Sequence, residues 1–426
     1  MPGGIVHLCR HDAQLRYLMN ELPVNAPPVF EDVYVLPVGF RAAGVHAGIK
    51  ADAGKFDMAM LVSDVPETTV AGMFTTNRVQ AASVKLDIER VRSGRARAVV
   101  INSGNANACN GPQGMTDALE MGRRTAEALG VTETEVLVSS TGTIGKPLNM
   151  TPVRHGIQLL AEKVSAEGGA DVARAILTTD TRPKMCTTRI QIDGKPVTVS
   201  GFCKGAGMIE PNMATMLAYI TTDAAVPAEL LREALKESVE RSFNRISVDG
   251  DTSTNDSVIA FANGSAGHAP LTRSHPDFPA FQTALNGVMF DLAMKIVWDG
   301  EGMSKFIELR ATGAVNDAEA DKALRAVANS FLVKTGWAGT YPVWGRIVDV
   351  LGYCGVEMDP DRVAMYYNDL QVMRDGMSAF PDSEAMSNII QGKRYTITMD
   401  LGTGGSGRAV LYTCDCTEEY VRINMF

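Results

Sequence analysis

Short apolar runs, each bounded by glycine, proline or small polar residues, recur along most of the chain. Runs of this length and composition are typical of buried β-strands. They predict strands at residues 56–63, 70–77, 96–102, 135–140, 186–193, 196–203 and 216–220, with a short one at 246–248.

Segments with helical spacing of apolar residues separate many of these strands. They predict helices at residues 115–129, 227–243 and 278–297, and a pair of helices within 152–178. A face of apolar residues three and four positions apart is what a helix needs to pack against a sheet. We therefore expect an α/β fold in which layered sheets are sandwiched between helices.

The C-terminal part of the chain predicts a smaller α/β unit. Its pattern indicates helices at 318–333 and 344–353 and strands near 364–373, 394–401 and 408–414. The run Gly402–Gly407 satisfies the dinucleotide pattern G-x-G-x-x-G, but a strand follows it and not a helix, so it predicts a glycine-rich hairpin. The expected domains are an N-terminal extension at 1–35, a main catalytic domain at 36–306 and the smaller domain at 307–426.

Charge and composition narrow the classes of partner. The chain has 40 basic and 49 acidic residues, a net charge of -9, and no basic stripe that could neutralise nucleic-acid phosphates. No apolar run approaches the roughly 18 residues that a membrane-spanning helix needs. The first residues carry no basic cluster followed by a long apolar stretch, as an export signal would. We therefore expect a cytoplasmic protein that binds neither nucleic acid nor membrane.

Metal and nucleotide chemistry find little support in the sequence. The seven cysteines are scattered, which favours reduced thiols, and Cys414 and Cys416 lack the further ligands of a zinc site. The octet Asp249–Asp256 resembles the start of a calcium loop, but Thr254 and Ala260 stand where that loop needs glycine and glutamate. We expect no metal, and the octet is interpreted as polar scaffold.

The segment 204–220 has the sequence KGAGMIEPNMATMLAYI, which runs from a glycine-bearing turn through a proline into an apolar strand, with Thr215 at the join. A β-branched residue there is most often structural. However, this block and VDGDTSTND at 248–256 resemble those of the ornithine acetyltransferase family, and the resemblance covers about residues 40–424. It implies transfer of acetyl from N-acetylornithine to glutamate, and self-cleavage between Ala214 and Thr215.

Self-cleavage would solve the problem of activating a threonine. A hydroxyl is a weak nucleophile that needs a base nearby, and no histidine is close to Thr215 in the sequence. The α-amine of a new N-terminal threonine, with a pKa of about 8, can serve as that base. The resemblance implies a ping-pong cycle without a cofactor, with acetyl-CoA as a further donor that the sequence leaves open. It also implies that the fragments 1–214 and 215–426 remain associated and that two such pairs form a heterotetramer.

The resemblance assigns further site residues. Thr141 and Gly142, at the end of a predicted strand, correspond to the oxyanion-stabilising pair, although an ordinary strand-to-loop turn explains the same residues. The positions matched to substrate contacts, besides Thr215, are Thr181, Lys204, Glu301 and Asn424. A lysine can pair the carboxylate of an amino-acid substrate, and a glutamate suits its ammonium.

Three departures from the family pattern leave the donor and the acceptor open. The chain has Tyr341-Pro342-Val343-Trp344-Gly345-Arg346 where Asp-Pro-Asn-Trp-Gly-Arg is common, and Met303 and Ser304 in place of Ala-Thr. It also ends at Phe426, whereas family members continue to a terminal serine or threonine. Two alternatives therefore stand beside the acetyltransferase. One is an N-terminal-threonine hydrolase or amidase on the same scaffold, and the other is a non-enzymatic paralogue.

Overall fold

The computed structural model of the protein describes residues 28–210, 216–380 and 383–425. The chain forms two compact units. The first comprises Met1–Gly205, Pro211–Asn244 and Thr252–Lys295, and the second comprises Ala206–Glu210, Arg245–Asp251 and Ile296–Phe426. The domain boundaries expected from the sequence, at residues 35 and 306, stay predictions.

Two sheets form the centre of the first unit. Their strands are β1 (Phe30–Glu31), β2 (Phe40–Val45), β3 (Met58–Ser63), β4 (Thr69–Phe74), β5 (Ala98–Asn105), β6 (Val136–Thr143), β7 (Lys184–Ile192), β8 (Lys195–Lys204), β9 (Leu217–Thr222) and β10 (Ser257–Ala262). One sheet has the order β1-β7-β8-β9-β10-β4 and the other β2-β3-β5-β6. Within them β9 pairs with β10, and β5 with β6, in parallel. The remaining pairs are antiparallel.

Helices accompany both sheets. They are α1 (Ala82–Arg90), α2 (Gly111–Leu129), α3 (Met150–Lys163), α4 (Gly169–Ala175), α5 (Ala228–Arg241) and α6 (Phe278–Val297). Among the described residues, we find no helix with the length and apolar character needed to span a membrane.

The alternation of side chains along β3 explains the layered arrangement. Ala59 and Leu61 join a core with Phe202 and Tyr219 of the other sheet, whereas Met58 and Met60 join a separate core that includes apolar residues of α2 and α3. Successive strand residues point to opposite faces, so one strand serves both cores. On the other sheet, α5 packs against β4 and β10. The expected α/β fold with layered sheets between helices is therefore confirmed.

The second unit is built on a single six-stranded sheet of order β14-β13-β12-β15-β11-β16. Its strands are β11 (Phe306–Ala314), β12 (Ala364–Tyr367), β13 (Leu370–Arg374), β14 (Met377–Ser378), β15 (Arg394–Asp400) and β16 (Gly407–Cys414). Its helices are α7 (Asp317–Asn329), α8 (Phe331–Ala338), α9 (Trp344–Tyr353), α10 (Ser383–Gln391) and α11 (Glu418–Ile423). Apolar residues of the sheet and of α7 to α10 form one core.

The glycine-rich hairpin predicted at Gly402–Gly407 is wrong. β15 and β16 do not pair with each other, because β11 lies between them, parallel to β15 and antiparallel to β16. The connecting run passes close to the end of β11: a Cβ atom on Gly405 would lie 2.2 Å from the Ala314 carbonyl oxygen. Glycine is needed there for a backbone crossing and not for a tight turn.

Other differences have local causes. The single helix predicted at 318–333 is two helices, because Ser330 leaves the helical conformation and its side chain accepts a hydrogen bond from the Val333 N–H. The strand predicted at 246–248 is only an isolated bridge from Ile246 to Tyr412. Helix α1 was not predicted at all, since its buried face includes Asp87 and Arg90, which interrupt the apolar spacing.

Truncation of Leu61 tests the shared core of the first unit. Leu61 is 1% exposed and Leu332 is 54% exposed. Replacing a buried leucine by alanine typically costs about 2–5 kcal/mol. We therefore expect Leu61→Ala to lower the thermal unfolding midpoint clearly, and the matched control Leu332→Ala to change stability by less than about 0.5 kcal/mol. Equal effects of the two variants would contradict this packing.

Candidate active site

The ends of β5 and β6 bring the predicted oxyanion pair into a constrained backbone. The parallel register pairs Ser103 with Thr141 and Gly104 with Gly142, followed by an irregularity at Asn105. Gly142 has a φ of 131°, and a Cβ atom there would lie 2.4 Å from the carbonyl carbon of Gly104. Only glycine fits this position. Thr141 is buried and Gly142 is exposed, so the exposed surface begins at the end of the strand.

A buried amide network holds these strand ends. The Ser140 hydroxyl donates to Asn102 Oδ1 at 2.7 Å. Asn255 Nδ2 donates to the carbonyl oxygens of Ser140, at 2.8 Å, and Ala106, at 2.6 Å. The two Asn255 bonds thus supply donors to two backbone carbonyls, as buried polar groups require. Asn255 comes from the octet interpreted as polar scaffold, and in the structure it fixes the geometry beside Thr141.

Asp180 connects the segment that contains Thr181 to the end of β8. Its Oδ1 accepts hydrogen bonds from Lys184 Nζ and from the Gly205 N–H, both at 2.6 Å. The side chains of Asp180 and Lys184 have no exposed surface. Burial alone would raise the pKa of the Asp180 carboxyl, but Lys184 and Lys204 outweigh it, so this pKa lies well below its ordinary value. Thr181 and Lys204, each next to a residue of this network, are thereby brought together.

Lys204 is a buried cation that has no direct counter-ion among the described residues. The residue is 8% exposed. Within residues 28–210, 216–380 and 383–425, no hydrogen bond or salt bridge engages its ammonium, although it interacts electrostatically with Asp180, Asp256 and Lys50. An ammonium held out of water normally has an anionic partner. This ammonium is therefore available to an anionic ligand.

A buried carboxyl group lies where β9 is about to begin. Asp256 accepts hydrogen bonds from the backbone N–H of Met216 and from Ser253, and burial raises its pKa well above the ordinary value. Its Oδ2 atom has no hydrogen-bond partner in the described part of the chain. The predicted cleavage residues Ala214 and Thr215, which precede Met216, lie outside the described residues.

In the second unit, Glu301 and Asn424 form a hydrogen-bonded pair. Asn424 Nδ2 donates to Glu301 Oε2 at 2.6 Å and also to the Tyr420 carbonyl oxygen at 2.9 Å. Glu301 is 7% exposed, and in the described part of this unit no lysine or arginine pairs with it. Its carboxylate lies against Gly207, where a Cβ atom would be 2.4 Å from Glu301 Cδ. The two residues predicted from the resemblance are thus in direct contact.

Two neighbouring groups in this unit were not predicted. The Tyr420 hydroxyl donates to Asp249 Oδ2 at 3.3 Å, and Asp249 also accepts the N–H groups of Met208 and Ile209 at 2.6 and 2.7 Å. Burial, followed by the charge of Asp249, raises the pKa of Tyr420. Asp249 is thus fully engaged in holding the backbone of 208–209, which leads into the junction segment.

The departures at 341–346 include one residue of the hydrophobic core and one exposed residue. Val343 is 4% exposed and belongs to the hydrophobic core of the second unit, whereas Tyr341 is 78% exposed. Replacing a polar residue at 343 by valine therefore adds to the core of this unit.

One group of side chains in the described ranges has the spacing of metal ligands: Asp193, His275 and Asp277. His275 Nδ1 accepts the Asp277 N–H at 3.1 Å, and His275 Nε2 lies 3.2 Å from Asp193 Oδ1. His275 Nδ1 is thus already used as an acceptor, while Nε2 faces the Asp193 carboxylate.

Sequence reasoning had missed Lys50, Asp57, Asp180 and Asp256. Asp180 and Asp256 lie inside the motifs TTDT and VDGDTSTND, so the motifs could have drawn attention to them. A sequence does not reveal which charge in a motif is buried or which main-chain groups it accepts.

Comparison with known proteins gives a consistent result. Residues 41–425 match the model of the ArgJ family. The chain is 50% identical over 389 residues to the arginine biosynthesis bifunctional protein ArgJ of Symbiobacterium thermophilum, covering 91% of this chain and 96% of that protein. It is 46% identical over 387 residues to the protein of the same name from Geobacter sulfurreducens, covering 91% and 98%.

A solved structure of arginine biosynthesis bifunctional protein argJ from Bacillus halodurans is 38% identical, covers 49% of this chain and 99% of that chain, and superposes with a TM-score of 0.47. The family model spans nearly the whole chain, and the first two relatives are each more than 40% identical over 91% of it. The resemblance first seen in the motifs is thereby confirmed: the chain belongs to the ArgJ family, and it is an acetyltransferase of arginine biosynthesis.

Proposed function

We propose that the protein transfers the acetyl group of N-acetylornithine to glutamate through an acyl-enzyme on Thr215. The observation that carries the proposal is the buried Lys204 ammonium, which makes no direct hydrogen bond or ion pair with an acid among the described residues and lies at the end of β8, shortly before the junction segment. A site for amino-acid substrates needs such a cation for their carboxylates.

Maturation precedes turnover. The Thr215 hydroxyl oxygen attacks the carbonyl carbon of Ala214, the hydroxyl proton passes to the Thr215 nitrogen as the Ala214–Thr215 C–N bond breaks, and an ester between Ala214 and the Thr215 oxygen remains. Water hydrolyses this ester, which gives a carboxylate on Ala214 and a free α-amine on Thr215. That amine acts as the base of the mature enzyme, because it belongs to the same residue as the hydroxyl that it deprotonates.

Turnover then uses the same hydroxyl twice. The Thr215 amine takes the hydroxyl proton as the oxygen attacks the acetyl carbonyl of N-acetylornithine, and the proton passes to the departing amine of ornithine. The amine of glutamate next attacks the acetyl ester, and the hydroxyl regains its proton. Thr141 and Gly142 stabilise the oxyanion in both steps, consistent with the constrained strand end that they occupy.

Substrate recognition divides by charge. Lys204 binds the substrate carboxylate, with Thr181 beside it. Glu301, oriented by Asn424, binds the ammonium group of ornithine. The short bond from Asn424 supports this role, since it fixes one carboxylate oxygen and leaves the other for a cation.

The word bifunctional in the names of the relatives supports a second acetyl donor, and we propose acetyl-CoA, used as a substrate without any resident cofactor. We further propose that the fragments 1–214 and 215–426 stay together as a heterotetramer and that the enzyme acts in the cytoplasm.

Removal of the nucleophile is the first test. Thr215→Ala is expected to yield an uncut chain of 45.7 kDa and no acetyl transfer, whereas the matched control Thr151→Ala, at an exposed position, is cut and active. Intact-mass spectrometry and an assay of acetylglutamate give the readouts. Cleavage and turnover in Thr215→Ala would refute the mechanism, and release of acetate without acetylglutamate would indicate a hydrolase.

The oxyanion assignment predicts a loss confined to the chemical step. Thr141→Val removes the hydroxyl while keeping the side-chain shape, and kcat is expected to fall about a hundredfold to a thousandfold with little change in KM. Thr141→Ser, which keeps the hydroxyl, should retain most of kcat. An unchanged kcat in the valine variant would exclude the hydroxyl from this role.

The charge of Glu301 is tested by an isosteric variant. Glu301→Gln and Glu301→Ala should both be cleaved normally but show a KM for N-acetylornithine raised about tenfold to a hundredfold, as expected for a lost charged hydrogen bond. Glu418→Gln, at a side chain 92% exposed, is the matched control. If both Glu301 variants keep the original KM, the ammonium is bound elsewhere.

A further inference from the structure

Lys50 lies in a loop whose backbone N–H groups bind the carboxylate of Asp57. Asp57, whose side chain has no exposed surface, accepts the backbone N–H groups of Ala47, Gly48, Ile49 and Lys50 at 2.6, 3.1, 2.7 and 3.0 Å. Four main-chain donors on one carboxylate fix the loop before β3 in a single conformation. The backbone N–H of Lys50 is therefore fixed by the same carboxylate.

The ammonium of Lys50 is only partly satisfied. Its Nζ donates to the carbonyl oxygens of Phe56 and Leu177 at 2.8 and 2.7 Å. A lysine ammonium has three N–H groups, so one remains without an acceptor among the described residues. Leu177 immediately precedes the run Thr178–Thr181, which contains the proposed substrate contact Thr181.

The aliphatic part of Lys50 lies beside the proposed oxyanion residues. A Cβ atom on Gly104 would be 3.3 Å from Lys50 Cγ and 4.0 Å from Lys50 Cε. Gly104 pairs in register with Gly142 of the neighbouring strand. The side chain thus runs along the strand end at which the reaction is proposed to occur.

The charges around Lys50 leave a local excess of cations. Asp57 and Asp180 favour its protonated form, and Lys55 and Lys204 oppose it. Neither acid is free to neutralise it, because Asp57 is occupied by four N–H groups and Asp180 by Lys184, Gly205 and Thr178. Burial first, with the two like charges, lowers the pKa of Lys50 to about 8. Two lysines that repel each other, and that no described carboxylate contacts directly, are stabilised when anionic groups bind to them.

We propose that Lys50 and Lys204 form a subsite for a dicarboxylate, in which Lys204 takes one carboxylate of glutamate and Lys50 takes the other. This inference rests on the proposed function, because it identifies how the acceptor is recognised. N-acetylornithine carries one carboxylate and glutamate two, so Lys50 is a specificity-determining residue for the second half-reaction. The donor needs Lys204 alone.

The test measures binding apart from turnover. Glutarate, a dicarboxylate without an amine, and butyrate, a monocarboxylate of similar length, are titrated into the mature enzyme by calorimetry. The wild type should bind glutarate at least tenfold more tightly than butyrate, and Lys50→Met should lose most of that preference. Lys50→Arg, which keeps a cation, should recover it. Equal preference in the wild type and in Lys50→Met overturns the proposal, whether or not acetyl transfer to glutamate is detected.

The pH dependence of glutarate binding gives a second readout. Deprotonation of Lys50 removes the cation, so glutarate binding to the wild type should weaken as the pH rises through about 8. Arginine stays charged over this range, so Lys50→Arg should show a flatter profile. Kinetically, Lys50→Met should raise the ratio of the KM for glutamate to the KM for N-acetylornithine about tenfold. Parallel pH profiles in wild type and Lys50→Arg, or an unchanged KM ratio, would also contradict the subsite.

Should Lys50→Met fail to fold or to cut itself, the comparison of the wild type with Lys50→Arg decides the question through the pH profile alone.

Discussion

The ion pair between Asp180 and Lys184 is the interaction on which the candidate site of the first unit depends. Both side chains are fully buried, and such a pair persists only when the remaining lone pairs are also satisfied. Here the N–H groups of Gly205 and Thr178 complete the coordination of the carboxylate. Because Asp180 is already occupied, it attracts Lys204 at a distance without binding it. A protein that needs a charged but available lysine obtains it in this way.

The same logic applies to the acid of the second unit. Glu301 is buried, receives one hydrogen bond from Asn424 and has no basic partner among the described residues of that unit. A buried charge without a counter-ion is unfavourable for stability by itself. The ligand binding proposed for each of these charges would offset that cost. Asp57 and Asp249, by contrast, are acids fully engaged by backbone N–H groups, and their role is to shape loops.

The sequence correctly predicted those elements whose secondary structure is determined by their own side chains. The bounds of α6 and α9 match the predicted helices, since α6 is a long apolar segment and α9 has apolar residues at helical spacing. The sequence did not predict features that depend on residues distant in the chain or on buried charges. The position of β11 between β15 and β16 cannot be read from the glycines at 402–407, and α1 carries two buried charges on the face that should be apolar. Thr141, Gly142, Lys204 and Glu301 came from resemblance, whereas Lys50 emerged only from a contact to a residue 127 positions away.

The strand order of the larger sheet has a consequence for the lifetime of the enzyme. β9 and β10 follow the proposed cut, yet they lie between β8 and β4, which precede it, so the two pieces would share one continuous sheet. While the chain is covalently whole, it can form this strand order within a single molecule. After cleavage, the two pieces of an unfolded molecule can refold only if they meet by diffusion, so refolding depends on protein concentration. The lifetime of the folded enzyme is then set by its unfolding rate. The folded state of such an enzyme is therefore maintained by kinetic stability.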